Sequence, residues 1–154
     1  MVTVKPKTTI KMNMAAVGET HSRSVVSVRD VSATIDEPIE RHGTNLGLSP
    51  TETLMSSLIG CTNVISNKIA AKMGLEISGM DIKLTADFDR RGVLLMEEVE
   101  RPFSNIVMDI EVATNATPEQ IETLRTELEK YCPVAKVMRG SGITITENWS
   151  TKPL

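Results

Sequence analysis

The sequence predicts an α+β fold with a mainly antiparallel sheet, and three observations carry that expectation. β-branched residues alternate loosely with other types over residues 3–15 and 22–35, the pattern of strands. Two helix-start signatures, Ser49-Pro50-Thr51-Glu52 and Thr117-Pro118-Glu119-Gln120, open apolar stretches of helical period. Alternation returns between these helices and after the second, so the order reads strands, long helix, strands, helix, strand. At 154 residues, 40% of them hydrophobic, residues 1–154 are expected to form one domain that buries a core without disulfide or metal staples.

The first two stretches read as a β-meander with Gly18-Glu19-Thr20 and Arg29-Asp30 as turns. Residues 36–48, DEPIERHGTNLGL, hold Pro38, Gly43 and Gly47 and have no period; a loop of this length suggests a functional role. Ser49 then serves as N-cap, Pro50 fills the first helical position and Glu52 completes a capping box. That helix runs to about Met73 and stops at Gly74. Within it Leu54, Leu58, Cys61, Ile65 and Ile69 recur at helical spacing, which puts Cys61 on a stripe facing the core or a subunit interface. Such a helix needs cover on most sides, and an intertwined dimer is one way to supply it.

Residues 75–88 read as a strand, Asp89-Arg90-Arg91-Gly92 as a turn, and residues 103–112 as the returning strand with Ile106, Met108 and Ile110 in step. Residues 93–102 are ambiguous. The helix opened by Thr117 places Ile121, Leu124, Leu128 and either Tyr131 or Cys132 on one face, and Pro133 disfavours helical backbone at Cys132. Residues 143–149 alternate again as a final strand.

Composition excludes several classes of function. A net charge of -3 without a dense Lys/Arg stripe argues against a duplex nucleic-acid binder, and 3% aromatic residues leave few platforms for stacking single-stranded bases. The amino terminus, MVTVKPKTTIKMNM, lacks the apolar core and small-residue cleavage site of a secretory signal, so a cytoplasmic protein is expected. The longest apolar region, residues 54–69, is interrupted by Ser56, Ser57, Asn63, Asn67 and Lys68 and fails as a membrane span.

The residues most able to carry chemistry are the two cysteines, Cys61 in the first helix and Cys132 at the end of the second. In a reducing compartment they are poor candidates for a permanent staple, which leaves reversible thiol chemistry or plain burial. A thiol reacts as its thiolate, so apolar surroundings alone would make Cys61 inert. A cysteine on an apolar helix face is more often core packing than nucleophile. Cys132 differs, because a helix end before a proline can present its side chain to a pocket. If the two helices pack, a peroxidatic and a resolving thiol could meet. His21 and His42 lie far from both cysteines in sequence, so a zinc site is disfavoured. No CxxC, glycine-rich phosphate loop or nucleophile elbow is present.

The stretch GTNLGLSPTETLMSSLIGC at residues 43–61, then Lys72-Met73-Gly74-Leu75 and later Cys132-Pro133-Val134, resembles the family of osmotically inducible (OsmC) and organic hydroperoxide resistance (Ohr) proteins. The resemblance implies curved antiparallel sheets packed on long central helices in an intertwined homodimer. It also implies a cysteine-based peroxidase active in oxidative or osmotic stress defence. Cys61 matches the peroxidatic position that attacks an organic or fatty-acid hydroperoxide, and Cys132 matches the resolving position. The resulting disulfide would be reduced by a dithiol, lipoyl-type in one branch, with no metal, haem or flavin required.

The family also uses an arginine from an early strand turn to hold the thiolate and a glutamate near the first helix start to hold the arginine. Arg23 is the match for the first, with Arg29 as alternative, and Glu52 is the candidate for the second. The family glutamate commonly stands ten residues before the cysteine, where this chain has Thr51, and capping already accounts for Glu52. This departure, with Cys61-Thr62 and the SATIDEP stretch, resembles the broader OsmC-like branch. The rival expectation is a non-catalytic dimer of the same fold that senses redox state or binds an apolar ligand.

Overall fold

The computed structural model describes residues 8–154. Its contacts gather into two compact units, Met1–Leu54 and Met55–Leu154.

In the first unit, β1 (Ala15–Gly18), β2 (Ser24–Val28) and β3 (Val31–Ile35) form an antiparallel meander in the order β1-β2-β3. Register runs from Ala15 opposite Ser27 and from Ser24 opposite Ile35. The two-residue turn expected at Arg29-Asp30 is present, with Arg29 in the left-handed region at φ 55°. The first expected strand is much shorter than its sequence pattern. Residues 3–7 lie outside the described residues, residues 8–14 are exposed and unpaired as strand, and the five-residue β2 offers β1 only four partners. The loop after β3 returns to it: the Asp36 N–H donates to the Leu48 carbonyl at 3.0 Å, and a turn of 3₁₀ helix spans Ile39–Arg41. Gly47 is needed there, since a Cβ would stand 2.1 Å from the Thr34 carbonyl oxygen.

Helix α1 (Pro50–Met73) starts and stops where the sequence predicts. The Ser49 N–H donates to the Glu52 carboxylate at 2.8 Å, while the Glu52 N–H donates to the Ser49 hydroxyl at 3.3 Å, closing the capping box. At the other end Gly74 takes φ 71°. Its N–H reaches the Ala71 carbonyl, and that of Leu75 reaches Ala70, so two orphan carbonyls are satisfied in a Schellman arrangement. The buried stripe differs slightly from the expected one: Met55, Leu58, Thr62, Ser66, Ile69 and Ala70 are buried, whereas Leu54 is 45% exposed.

The second unit holds β4 (Ile77–Phe88), β5 (Phe103–Thr114) and β6 (Thr144–Lys152) in the order β4-β5-β6. β4 and β5 are antiparallel, but β5 and β6 are parallel, a departure from uniform antiparallel pairing. The cause is the connection. A parallel return needs a long crossover, supplied here by α2 (Pro118–Tyr131) and α3 (Pro133–Gly140). α2 opens on the expected box between Thr117 and Gln120, while α3 carries only eight residues, too few for periodicity to reveal. On the central strand Ile106, Met108, Ile110 and Val112 are at most 1% exposed, and they form one core with Leu58, Ile69, Leu124, Leu128 and Met138. Each such side chain contributes roughly 1.5–3 kcal/mol by leaving water. Among the described residues no helix is long and apolar enough to cross a membrane.

Candidate functional site

The packing of α1 against the α2–α3 junction brings together two cysteines 71 positions apart. Cys61 is half-buried and touches the core cluster next to Leu58 and Ile65 on α1. Cys132 is fully buried and is at once the last cap of α2 and the first cap of α3. Its backbone is extended, φ −74° and ψ 106°, as the following Pro133 requires. Its N–H still closes α2 on the Leu128 carbonyl at 2.9 Å, while its sulfur accepts weakly from the Ala135 N–H at 3.5 Å.

The Cys132 thiol donates to the Cys61 sulfur across 2.9 Å, and both cysteines are free. Burial, and then the contact with Cys61, push the Cys132 thiol up to about 11. The proton therefore stays on Cys132 at neutral pH, aimed at Cys61. In this contact Cys132 is the donor and the Cys61 sulfur the acceptor. Among the described residues no group of three or more His, Cys, Asp or Glu is arranged to hold a metal ion.

Arg23 and Glu52 belong to the other unit, and each already has partners there. Arg23 Nε pairs with Glu19 at 2.7 Å and Nη1 donates to the Thr44 hydroxyl at 2.7 Å. Glu52 is held in its capping box, and the Ser49 N–H and hydroxyl keep its carboxyl below the usual range, with a smaller contribution from the charge of Arg41. The cation sensed by Glu52 is thus Arg41, itself paired with Glu37 at 2.9 Å. Arg29 is exposed in its turn, and the Thr51 hydroxyl meets that of Ser49 at 3.2 Å.

Sequence reasoning missed Asp36. This residue is fully buried, and its carboxylate accepts five hydrogen bonds: from the Ser22 and Thr44 hydroxyls and from the backbone N–H groups of Glu37, Thr44 and Leu46. The Thr44 hydroxyl first, then the backbone donors of Leu46 and Glu37, hold it well below the ordinary carboxylate range. Arg23 donates to Thr44, which donates to Asp36, so the buried carboxylate also fixes the arginine. The available signal was a short acidic side chain opening an aperiodic loop, where such residues bond nearby backbone N–H groups.

The family model for OsmC-like proteins matches residues 43–148. This chain belongs to the OsmC-like family. The matched span contains Glu52, Cys61 and Cys132 and leaves Arg23 outside. No curated protein matches the chain. Among solved structures it resembles the OsmC-like protein of Mycoplasma pneumoniae, with a TM-score of 0.77 and 19% identity over 92% of this chain and 97% of that one. An organic hydroperoxide resistance protein of Legionella pneumophila gives 0.65 at 12% identity, covering 95% and 99%. That of Bacillus subtilis, OhrB, gives 0.60 at 14% identity, covering 93% and 98%. These likenesses establish a shared OsmC-like fold.

Proposed function

We propose that this OsmC-like protein reduces organic hydroperoxides through Cys61, with Cys132 as the resolving thiol. The observation that carries this reading is the 2.9 Å contact between the two sulfurs, with the proton held on Cys132. In the first step the Cys61 thiolate attacks the distal peroxide oxygen. The O–O bond breaks, the alkoxide leaves and takes a proton to become the alcohol, and Cys61 becomes a sulfenic acid. The Cys132 sulfur then displaces the hydroxyl, forming the disulfide and releasing water. A dithiol returns both cysteines to thiols and leaves as its own disulfide.

The half-buried setting of Cys61 beside Leu58 and Ile65 suits an apolar substrate. Arg23, fixed by Glu19 and Thr44, is the cation we assign to the thiolate, with Glu52 in a supporting role, in a homodimer of the cytoplasm. Stopped-flow oxidation with cumene hydroperoxide tests the reading. The expected result is a rate far above that of a free thiol, lost in Cys61→Ser. A free-thiol rate would overturn it and favour a redox-sensing or apolar-ligand-binding dimer.

A further inference from the structure

Arg23 is anchored at two points within the first unit. Its Nε pairs with Glu19 at 2.7 Å, and its Nη1 donates to the Thr44 hydroxyl at 2.7 Å. A contact at one nitrogen leaves a guanidinium free to swing, whereas contacts at two different nitrogens fix the plane of its fork. A guanidinium has five N–H donors, so donors remain for a further anion once these two contacts are made.

The second anchor is directional. A hydroxyl has one proton, and an ionised carboxylate can only accept. The Thr44 hydroxyl gives its proton to Asp36, which leaves its lone pairs to receive Arg23. The Thr44 N–H donates to the same Asp36 oxygen at 3.1 Å, so backbone and hydroxyl are fixed together. Near Thr44, His42 and Asn45 take the left-handed region at φ 63° and 54°, which residues other than glycine keep only where their surroundings enforce it. The enforcing contacts include the Asn45 N–H on the Glu37 carbonyl at 3.1 Å and the Leu46 N–H on Asp36 at 3.1 Å. The loop is thus bent around the buried carboxylate, with Thr44 held between it and the arginine. The Glu52 carboxylate, by contrast, is occupied in the cap of α1.

We propose that Thr44 and Glu19 are the positioning residues of Arg23, with Asp36 setting the direction of the Thr44 hydroxyl, and that together they aim the guanidinium for the Cys61 thiolate. This rests on the assignment of Arg23 to that thiolate, and not on turnover of any peroxide. Glu52 supports from the α1 cap, and the direct hold on Arg23 falls to Glu19 and Thr44.

The pH dependence of Cys61 alkylation by iodoacetamide, mapped by peptide mass spectrometry on the reduced full chain, reads the thiolate alone. Arg23→Met should raise the midpoint by about one pH unit, the low end of what a neighbouring opposite charge supplies. Thr44→Val, which keeps the side-chain shape and removes the hydroxyl, should raise it comparably, and Thr44→Ser should restore it. In the Arg23→Met background Thr44→Val should add nothing, since both changes then act through one interaction. Glu19→Gln, an exposed change with little bearing on folding, should shift the midpoint in the same direction. A merely structural Thr44 would lower Tm without moving the midpoint, and that result overturns the proposal. So does an Arg23→Met midpoint equal to that of the wild type. A midpoint that follows Thr44 and Arg23 in a protein that turns over no peroxide supports the positioning role and refutes the peroxide reading instead.

Discussion

Asp36 and Cys132 are both fully buried polar groups, and the fold treats them in opposite ways. Asp36 is surrounded by five donors and stays charged; its proton affinity falls because each donor favours the carboxylate. Cys132 receives one long N–H contact and the Cys61 sulfur, and burial drives it toward the neutral thiol. A buried group whose hydrogen bonds are all met fixes structure, here the loop of residues 36–48. One left short of partners keeps a proton and a lone pair available for reaction. The contrast separates the scaffold of the first unit from the chemistry of the second.

The largest effect expected is on that chemistry. Cys61→Ser should lower the peroxide rate to that of a free thiol, whereas Cys132→Ser should keep the first turnover and accumulate the sulfenic acid, read by dimedone trapping and mass spectrometry. Next comes Asp36→Ala, which leaves five donors without their acceptor. Hydrogen exchange should then show lost protection at Glu37, Thr44 and Leu46. The pH dependence has a definite sign. With its folded pKa below the ordinary value of about 4, Asp36 stabilises fully above that value, and the contribution is lost as pH falls through the depressed range. Asp36→Asn should remove this acid sensitivity.

A third test acts on the burial that sets Cys132 apart. Leu128→Ala, beside the Cys132 cap, should cost about 2–5 kcal/mol in denaturant unfolding. By admitting water it should also speed alkylation of Cys132 by iodoacetamide, which in the wild type labels Cys61 first. The raised Cys132 thiol predicts stability that is intact below pH 9 and falls as pH rises from 9.0 to about 11, an effect absent in Cys132→Val. The smallest change is Thr117→Ala, which removes a cap from α2 at about 1 kcal/mol without altering either buried group.

Local signals were legible in the sequence. Ser49, Pro50, Glu52 and Gly74 fixed α1 at both ends, and the alternation of Ile106, Met108 and Ile110 marked the central strand. Non-local pairing was not legible. Nothing near residues 143–149 says that β6 joins β5 in parallel, because that depends on a crossover whose second helix is too short to show a period. The first strand was overextended for the same reason, since a strand's length is set by its partner. At the site, Cys61 and Cys132 were visible as residue types, but their contact is a product of tertiary packing. Asp36 was hidden because its donors, Ser22, Thr44 and Leu46 among them, come together only when the loop folds back.

The central claim is that Cys61 attacks and Cys132 resolves. Its most direct test is one equivalent of cumene hydroperoxide added to the reduced protein, followed by intact and peptide mass spectrometry. The account predicts loss of two hydrogens and a crosslinked peptide joining Cys61 to Cys132. Persistence of both free thiols, or a Cys61 sulfenic acid that accumulates in the wild type without closing on Cys132, would contradict it.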